Sequence, residues 1–298
     1  MDKFLVNNLL SDSWNYPSLI QPVQLPEITA AGIHADVLRL DTIHPVVSGN
    51  KWFKLKGHLQ TARLRSASSI LTFGGAWSNH IVAAAYAAQQ AGLPSIGIIR
   101  GERPPVLSAT LETALACGMQ LEFISRKQYA SLTAAPGHGT DPGVYIIPEG
   151  GAGPDGIRAS EHILREAPTT RYTHILCAIG TGTMFLGLAA AATPEQEVIG
   201  ISVLKGMEDA PGQPYRHRII PHYHFGGYAR HPPELLDFMN RFYRDTGIPS
   251  DLVYTGKLFY AALDMVRQNL FPAHSRLLIV HSGGLQGNRS LPPGRLNF

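Results

Sequence analysis

The chain has 298 residues, of which 44% are hydrophobic and 16% charged, and its formal net charge is +3. This length suits one to three domains with a large buried core. The basic residues are scattered along the chain, which argues against a nucleic-acid partner. Cys117 and Cys177 lie far apart within apolar segments. The sequence therefore predicts neither a disulfide framework nor a zinc site, and it favours a reducing compartment.

The N-terminal segment MDKFLVNNLLSDSWN has no basic start leading into an apolar run. No later apolar run is long enough to cross a bilayer. These features predict a soluble, cytoplasmic protein without a membrane partner.

Short apolar runs that end in glycine or a polar turn alternate with segments of helical spacing. The candidate strands are SSILTFGG, PSIGIIRG, MQLEFIS, GVYIIPEGG, THILCAIG, EVIGISVL and RLLIVHSGG. The candidate helices are SNHIVAAAYAAQQAG, PPVLSATLETALACG, DGIRASEHILREA, TMFLGLAAAA and PPELLDFMNRFYRDTG. This alternation predicts an α/β fold with mostly parallel sheets covered by helices. The segment Lys205–Pro233 is expected to be a long irregular connection, of the kind that is often functional.

Sheets of this class bind ligands where strand ends meet helix starts. In TFGGAWSNH, polar side chains stand at such a junction, and they either contact an anionic ligand or cap the helix: Ser78, Asn79 and His80. CAIGTGTMFLG repeats the arrangement with glycines and hydroxyls that suit a phosphate: Gly180, Thr181, Gly182 and Thr183. Glycine pairs in IPEGGAGPDG and VHSGGLQGN follow two further strands. Four such turns indicate a single cleft.

The stretch HPVVSGNKWFKLKGHL gathers several amines at the start of a helix. A single lysine is most often a solvated surface residue. Lys51 and Lys54 are three residues apart, however, so on a helix they share one face. One amine could form a Schiff base with a carbonyl compound while the other meets a phosphate. Lys56 and His58 are expected to be surface residues.

The order of GNKWFKL, FGGAWSNH, IPEGG, the GTGT turn, FGGYAR, VYTGK and VHSGG resembles one pyridoxal-phosphate family. This family contains D-cysteine desulfhydrase and 1-aminocyclopropane-1-carboxylate deaminase, and it shares the tryptophan synthase β-like fold. The resemblance runs from about His44 to Gly284. It implies two three-layer αβα domains with the cofactor, pyridoxal 5'-phosphate, in the cleft between them. The expected domains are 1–54 with 166–298, and 55–165, and the resemblance implies a homodimer.

The resemblance also implies a role for each motif. Lys51 would form the Schiff base with the cofactor, and Lys54 would lie near the phosphate, which the residues 180–183 would hold. Asn79 would contact the ring hydroxyl of the cofactor. Ser78 and Asn79 would bind the carboxylate of a small amino-acid substrate, with His80 beside them.

Two tyrosines and one serine complete the implied site. Tyr254 in VYTGK matches the family tyrosine beside the cofactor, and Tyr228 in GGYAR matches the one that faces the substrate. Deaminases resemble YEGK, with a glutamate that reaches the pyridine nitrogen, whereas this chain has Thr255. Ser282 in HSGG would meet the nitrogen with a hydroxyl, and His80 also matches the desulfhydrase form. A weaker electron sink suits β-elimination of a thiol.

The sequence therefore favours D-cysteine desulfhydrase-like β-elimination, which gives pyruvate, ammonia and sulfide. The alternatives are 1-aminocyclopropane-1-carboxylate deamination, β-replacement of the cysteine synthase type, and a cofactor carrier without catalysis. Trp77, Met184 and the segment after Gly284 depart from the pattern of the family, and these departures motivate the carrier hypothesis.

Overall fold

A computed structural model describes residues 19–134, 141–165, 167–206 and 216–298. These residues form two compact units: one is His44–Ala159, and the other joins residues 19–43 to Ser160–Phe298. The domain boundaries expected from the sequence, after residues 54 and 165, stay a prediction. The segment MDKFLVNNLLSDSWN lies outside the described residues, as do residues 207–215 of the predicted irregular connection.

Strands and helices alternate along most of the described chain. The strands are β1 Ile20–Pro22, β2 His34–Arg39, β3 Ser69–Gly74, β4 Ser95–Arg100, β5 Gln120–Ile124, β6 Val144–Ile147, β7 His174–Ile179, β8 Glu197–Ser202, β9 His217–Ile220 and β10 Arg276–His281. The helices are α1 Pro26–Ala30, α2 Asn50–Leu64, α3 Asn79–Gln90, α4 Ala109–Ala116, α5 Arg126–Ala134, α6 Pro154–Arg165, α7 Thr183–Ala191, α8 Pro233–Thr246 and α9 Thr255–Arg267.

The unit His44–Ala159 contains a four-stranded sheet in the order β5-β4-β3-β6. All three strand pairs are parallel. Phe73, Ile98 and Tyr129 form a buried cluster on this sheet. Because parallel strands end at the same edge, the loops that follow β3 and β6 lie side by side.

The other unit contains a six-stranded sheet in the order β1-β2-β10-β7-β8-β9. Only β1 runs antiparallel to its neighbour; the remaining pairs are parallel. Every side chain of β7 is buried, as expected for a strand at the centre of a sheet covered by helices. The parallel pairing of β10 with β7 brings the segments after Ile179 and His281 to one edge.

The α/β fold with mostly parallel sheets is confirmed. Each candidate strand and helix of the sequence contains an element of the same type. The expectation that Lys205–Pro233 is irregular is wrong for β9, which pairs with β8 through the register Val198↔His217. Without β9, the backbone N–H and C=O groups along the outer edge of β8 would lack hydrogen-bond partners within the sheet, and this short strand provides them. In the described residues, every helix is too short or too polar to cross a membrane.

Asp251 organises the start of α9. It is fully buried, and its carboxylate accepts hydrogen bonds from the backbone N–H groups of Val253 and Tyr254, both at 2.9 Å. It also accepts from the N–H and the hydroxyl of Thr255, both at 2.8 Å. The first N–H groups of a helix have no partner within it, and a carboxylate also interacts favourably with the helix dipole. Asp251 therefore fixes where the helix begins.

We expect Asp251→Ala to lower the free energy of unfolding by roughly 3 kcal/mol, because it leaves several buried donors without an acceptor. Urea denaturation of the variant measures this loss. Asp237→Ala is the matched control, since Asp237 is exposed on α8. Equal stability of the two variants would contradict the role of Asp251.

Candidate active site

Lys51 lies on the first turn of α2. Its Nζ donates a hydrogen bond to Oδ1 of Asn50 at 3.0 Å. The loop before it is held by His44, whose Nδ1 accepts from the N–H of Val47 at 2.9 Å and whose ring stacks on Trp52 at 5.3 Å. Burial lowers the pKa of His44, which favours the neutral ring that can accept this bond. The backbone that carries Lys51 is thus anchored on both sides.

Lys54 and His80 meet at the turn that follows β6. Lys54 is buried, and its Nζ donates to the carbonyl of Gly150 at 3.2 Å. A Cβ placed on Gly151 would lie 3.1 Å from Cβ of Lys54 and 3.7 Å from Cε1 of His80. Both side chains therefore lie close to this turn, and the left-handed φ of 68° at Gly151 favours glycine there.

His80 is held in one tautomer by a chain of hydrogen bonds. The hydroxyl of Thr72 donates to the carbonyl of Ile147 at 2.8 Å, so its oxygen accepts from Nε2 of His80 at 2.7 Å. The pKa of His80 is well below its usual range, chiefly because the ring is buried and also because of the nearby charges of Lys51, His58 and Lys54. A neutral ring with its proton on Nε2 leaves Nδ1 as an acceptor. Among the described residues, this buried Nδ1 has no hydrogen-bond partner.

The expectation that His58 is a surface residue is wrong. His58 is 2% exposed, and its Nδ1 lies 3.0 Å from the hydroxyl of Tyr145, which donates to Asp155 at 2.9 Å. Positions 51, 54 and 58 follow helical spacing, so His58 shares the inner face of α2 with the two lysines. Burial lowers the pKa of His58. Lys56, on another face, is partly exposed.

Ser78 caps α3, as the helix-cap interpretation predicts. Its side-chain oxygen accepts from the N–H of Ile81 at 3.4 Å, and Asn79 is the first residue of the helix. The hydroxyl of Ser108, which caps α4, donates to the carbonyl of Ala76. The loop that carries Ser78 is thereby tied to the neighbouring helix. The contacts of Ser78 and Asn79 with a ligand stay a prediction.

In the other unit, the glycine turn after β7 lies against Tyr254. A Cβ placed on Gly180 would lie 2.9 Å from Cε1 of Tyr254, so only glycine fits beneath this ring. Across Gly182, the hydroxyls of Thr181 and Thr183 lie 2.9 Å apart. The first N–H groups of α7 follow directly. N–H groups at a helix start and flanking hydroxyls suit a phosphate.

Two further predicted residues belong to the same unit. The rings of Tyr228 and Tyr254 meet edge to face, with centroids 6.2 Å apart. Ser282 follows β10, which is parallel to β7, so Ser282 and Gly180 stand at the same edge of the sheet. Met184 is buried on α7. Its side chain therefore belongs to the packing of the helix.

The donors present fit pyridoxal phosphate, which needs an amine for its aldehyde and N–H groups for its phosphate. Lys51 carries an amine, and the turn 180–183, in the other unit, carries N–H groups of the kind that a phosphate needs. Their roles toward the cofactor stay predictions. Parallel α/β sheets with these features define a class of pyridoxal-phosphate-binding proteins. The family model described as pyridoxal-phosphate dependent enzyme matches residues 22–283, and the chain belongs to this family.

The chain is 28% identical over 301 residues to "Putative 1-aminocyclopropane-1-carboxylate deaminase" of Pyrococcus abyssi, with 89% of each chain covered. It is 27% identical over 314 residues to "Bifunctional D-cysteine desulfhydrase/1-aminocyclopropane-1-carboxylate deaminase, mitochondrial" of Arabidopsis thaliana, covering 92% of this chain and 75% of that protein. The crystal structure of an ACC deaminase homologue superposes with a TM-score of 0.76 and 24% identity over 97% of each chain. The tryptophan synthase β-like fold is confirmed.

Three residues near the predicted site were not identified from the sequence. Asp251 accepts from the N–H groups two and three residues after it, as aspartates in turns commonly do, and an aspartate before a helix is a usable signal. Lys257 is a charge within the apolar run of α9, and this contrast could have marked it. Thr72 is a polar residue inside a strand, and no pattern distinguishes it.

We expect the imidazole of His80 to be protonated on Nε2 and unprotonated on Nδ1 at neutral pH. Long-range ¹H–¹⁵N correlation spectra of histidine-labelled protein measure this directly, with the signal assigned from its loss in His80→Asn. Thr72→Val removes the acceptor of Nε2, so the tautomers should mix, whereas Thr72→Ser should keep the wild-type spectrum. A wild-type signal with the proton on Nδ1 would refute the hydrogen-bond chain.

Proposed function

We propose that the chain is a pyridoxal-phosphate-dependent lyase that acts on a small amino acid, with D-cysteine as the preferred substrate. The reaction is β-elimination: cysteine and water give pyruvate, ammonia and sulfide. The name of the Arabidopsis relative, which includes this activity, supports the proposal. The second candidate is deamination of 1-aminocyclopropane-1-carboxylate, which the names of both relatives support.

The observation that carries the choice is the environment of Thr255. The deaminases of this family resemble YEGK, with a carboxylate at this position that reaches the pyridine nitrogen. Thr255 is fully buried here, and its hydroxyl is engaged with Asp251. Asp251 in turn accepts backbone N–H groups at the start of α9. Neither residue is then available to the nitrogen, which leaves the hydroxyl of Ser282 for that role.

The proposed binding roles are those that the resemblance to the family implies. Lys51 binds the cofactor covalently through Nζ, Lys54 and the turn 180–183 hold its phosphate, and Asn79 contacts its ring hydroxyl. The N–H groups at the start of α3, together with Ser78 and Asn79, bind the substrate carboxylate, because a helix start attracts anions. His80, the next residue, lies beside Ser78 and Asn79 in the proposed substrate site.

Pyridoxal phosphate held by these residues would withdraw electrons from the substrate carbon that carries the amino group. Nζ of Lys51 would take the proton from that carbon as a general base. Tyr254 or Tyr228 orients the departing thiol and exchanges its proton. Ser282 would donate a hydrogen bond to a neutral pyridine nitrogen, which would withdraw electrons more strongly than a bare pyridine but less strongly than a protonated one. A good leaving group such as a thiol is compatible with that weaker withdrawal.

Two other functions stay alternatives. A β-replacement enzyme would form product only when a second nucleophile is added. A cofactor carrier would bind pyridoxal phosphate and turn over no amino acid; the exposed Trp77 and the departures after Gly284 motivate it. A homodimer and a cytoplasmic location remain predictions.

We expect borohydride treatment of the protein loaded with pyridoxal phosphate to fix a pyridoxyl group on Lys51, because this amine forms the covalent link. Peptide mass spectrometry locates the adduct. Lys51→Arg should carry none, and Lys127→Arg, a change on the exposed face of α5, should carry the same adduct as the wild type. An adduct only at another lysine would refute the assignment.

We expect D-cysteine and β-chloro-D-alanine to give pyruvate at least about tenfold faster than 1-aminocyclopropane-1-carboxylate gives its 2-oxo acid, a difference of about 1.4 kcal/mol in barrier. Tyr254→Phe should lower the D-cysteine rate because it removes a hydroxyl near the thiol. Ser282→Ala should lower it by removing the donor to the nitrogen. Coupled assays of 2-oxo acid and ammonia, with L-cysteine included, measure each rate.

Faster turnover of the cyclopropane than of every β-substituted alanine would overturn the choice of reaction and the role of Ser282. An unchanged rate in Tyr254→Phe would remove that residue from the proposed mechanism. Pyruvate that forms from none of the amino acids, in protein that carries the Lys51 adduct, would favour the carrier.

A further inference from the structure

Lys257 is a fully buried lysine to which the proposed mechanism gives no role. It is the third residue of α9, and the apolar run LFYAAL follows it directly. Its Nζ donates hydrogen bonds to the carbonyls of His224 at 2.9 Å and Gly227 at 2.8 Å. Both carbonyls belong to residues 222–231, which we call the tyrosine loop because it carries Tyr228.

The charge of Lys257 does not stabilise the fold. Burial lowers its pKa from 10.5 to about 8, and the carboxylate of Asp251 offsets only part of this effect. Between these two pH values, the folded chain therefore binds fewer protons than the unfolded chain. The contribution of Lys257 to stability is lowest below pH 8 and increases as the pH rises towards 10.5. A charge retained at such a cost calls for another explanation.

One face of α9 carries the tyrosine loop. Tyr260 packs edge to face on Phe225 with centroids 4.9 Å apart, and Asp264 accepts from the hydroxyl of Tyr223 at 2.8 Å. Positions 257, 260 and 264 follow helical spacing. The contacts of Tyr260 and Asp264 hold the first part of the loop. Lys257 alone among these three holds Gly227, the residue that leads into Tyr228.

The backbone around Gly227 needs such support. Phe225 and Ala229 adopt left-handed conformations, with φ of 52° and 54°, which cost energy for residues other than glycine. A buried lysine that binds the carbonyls of His224 and Gly227, which are three residues apart, restrains the peptide groups between them. Tyr228 projects from this backbone onto Tyr254, which immediately precedes α9.

We propose that Lys257 is a positioning residue, which binds the carbonyls of His224 and Gly227 and thereby sets the placement of Tyr228 beside Tyr254. Its effect on turnover rests on the proposed function, in which Tyr228 acts on the departing thiol. Its effect on the loop does not. The two effects are therefore measured separately.

The first measurement is hydrogen–deuterium exchange of the holoenzyme over residues 222–231. Lys257→Met keeps the length and burial of the side chain but removes the donors. Amides of residues 226–230 should then exchange about tenfold faster or more, a loss of about 1.4 kcal/mol of local protection. Lys127→Met, which removes an exposed positive charge, should leave the loop unchanged. Unchanged exchange in Lys257→Met would overturn the proposal.

The second measurement is a double-mutant cycle with D-cysteine. Lys257→Met should lower kcat more than it raises KM, and it should cause no further loss of kcat in a Tyr228→Phe background, because it acts through Tyr228. Losses that multiply in the double variant would overturn this route. If Lys257→Met does not fold, Lys257→Gln, which retains an amide donor, undergoes the same two measurements. Absence of turnover in the wild type refutes the proposed function, while the exchange result still decides the role of Lys257.

Discussion

The parallel pairing of strands is the constraint on which both parts of the predicted site depend. In one unit, β3 and β6 end together, so Thr72, on β3, reaches the carbonyl of Ile147, and the turn after β6 receives Lys54 and His80. In the other unit, β7 and β10 end together, and Gly180 and Ser282 stand at one edge. Antiparallel pairing would send these segments to opposite edges of the sheet.

Burial makes three basic side chains of this protein unlike ordinary surface groups. His58, His80 and Lys257 all have pKa values lowered chiefly by burial. Each is held by hydrogen bonds to a hydroxyl or to backbone carbonyls. The two buried histidine rings are therefore mostly neutral and act as fixed hydrogen-bond donors or acceptors. The buried amine of Lys257 loses its proton more easily than a surface amine does.

The sequence predicted the elements well because strands and helices leave periodic apolar patterns, and each ends at glycine or a polar turn. It also included a helix cap by Ser78 or Asn79 as one of two alternatives, and it placed Gly180 at a strand end, since both features are local. It could not predict that Thr72 fixes the tautomer of His80, because the proton of Thr72 is directed by the carbonyl of Ile147, 75 residues further along the chain. It could not predict that Lys257 holds Gly227 either, because these two residues are 30 positions apart. The expectation that His58 lies at the surface was wrong because helical spacing identifies a face of the helix, whereas tertiary packing decides which face is buried.

The start of α9 links these observations within one unit. Asp251 fixes the first turn of the helix, and that turn places Thr255 against Asp251 and Tyr254 against Gly180. The next residues on the same helix, Lys257 and Tyr260, hold the loop that carries Tyr228. A threonine at position 255 is therefore part of a buried hydrogen-bonded cap. A glutamate there would have to displace Asp251 from the N–H groups or place two carboxylates together, and like charges at such close range are unfavourable. The presence of Asp251 at the start of α9 therefore disfavours an acidic residue at position 255.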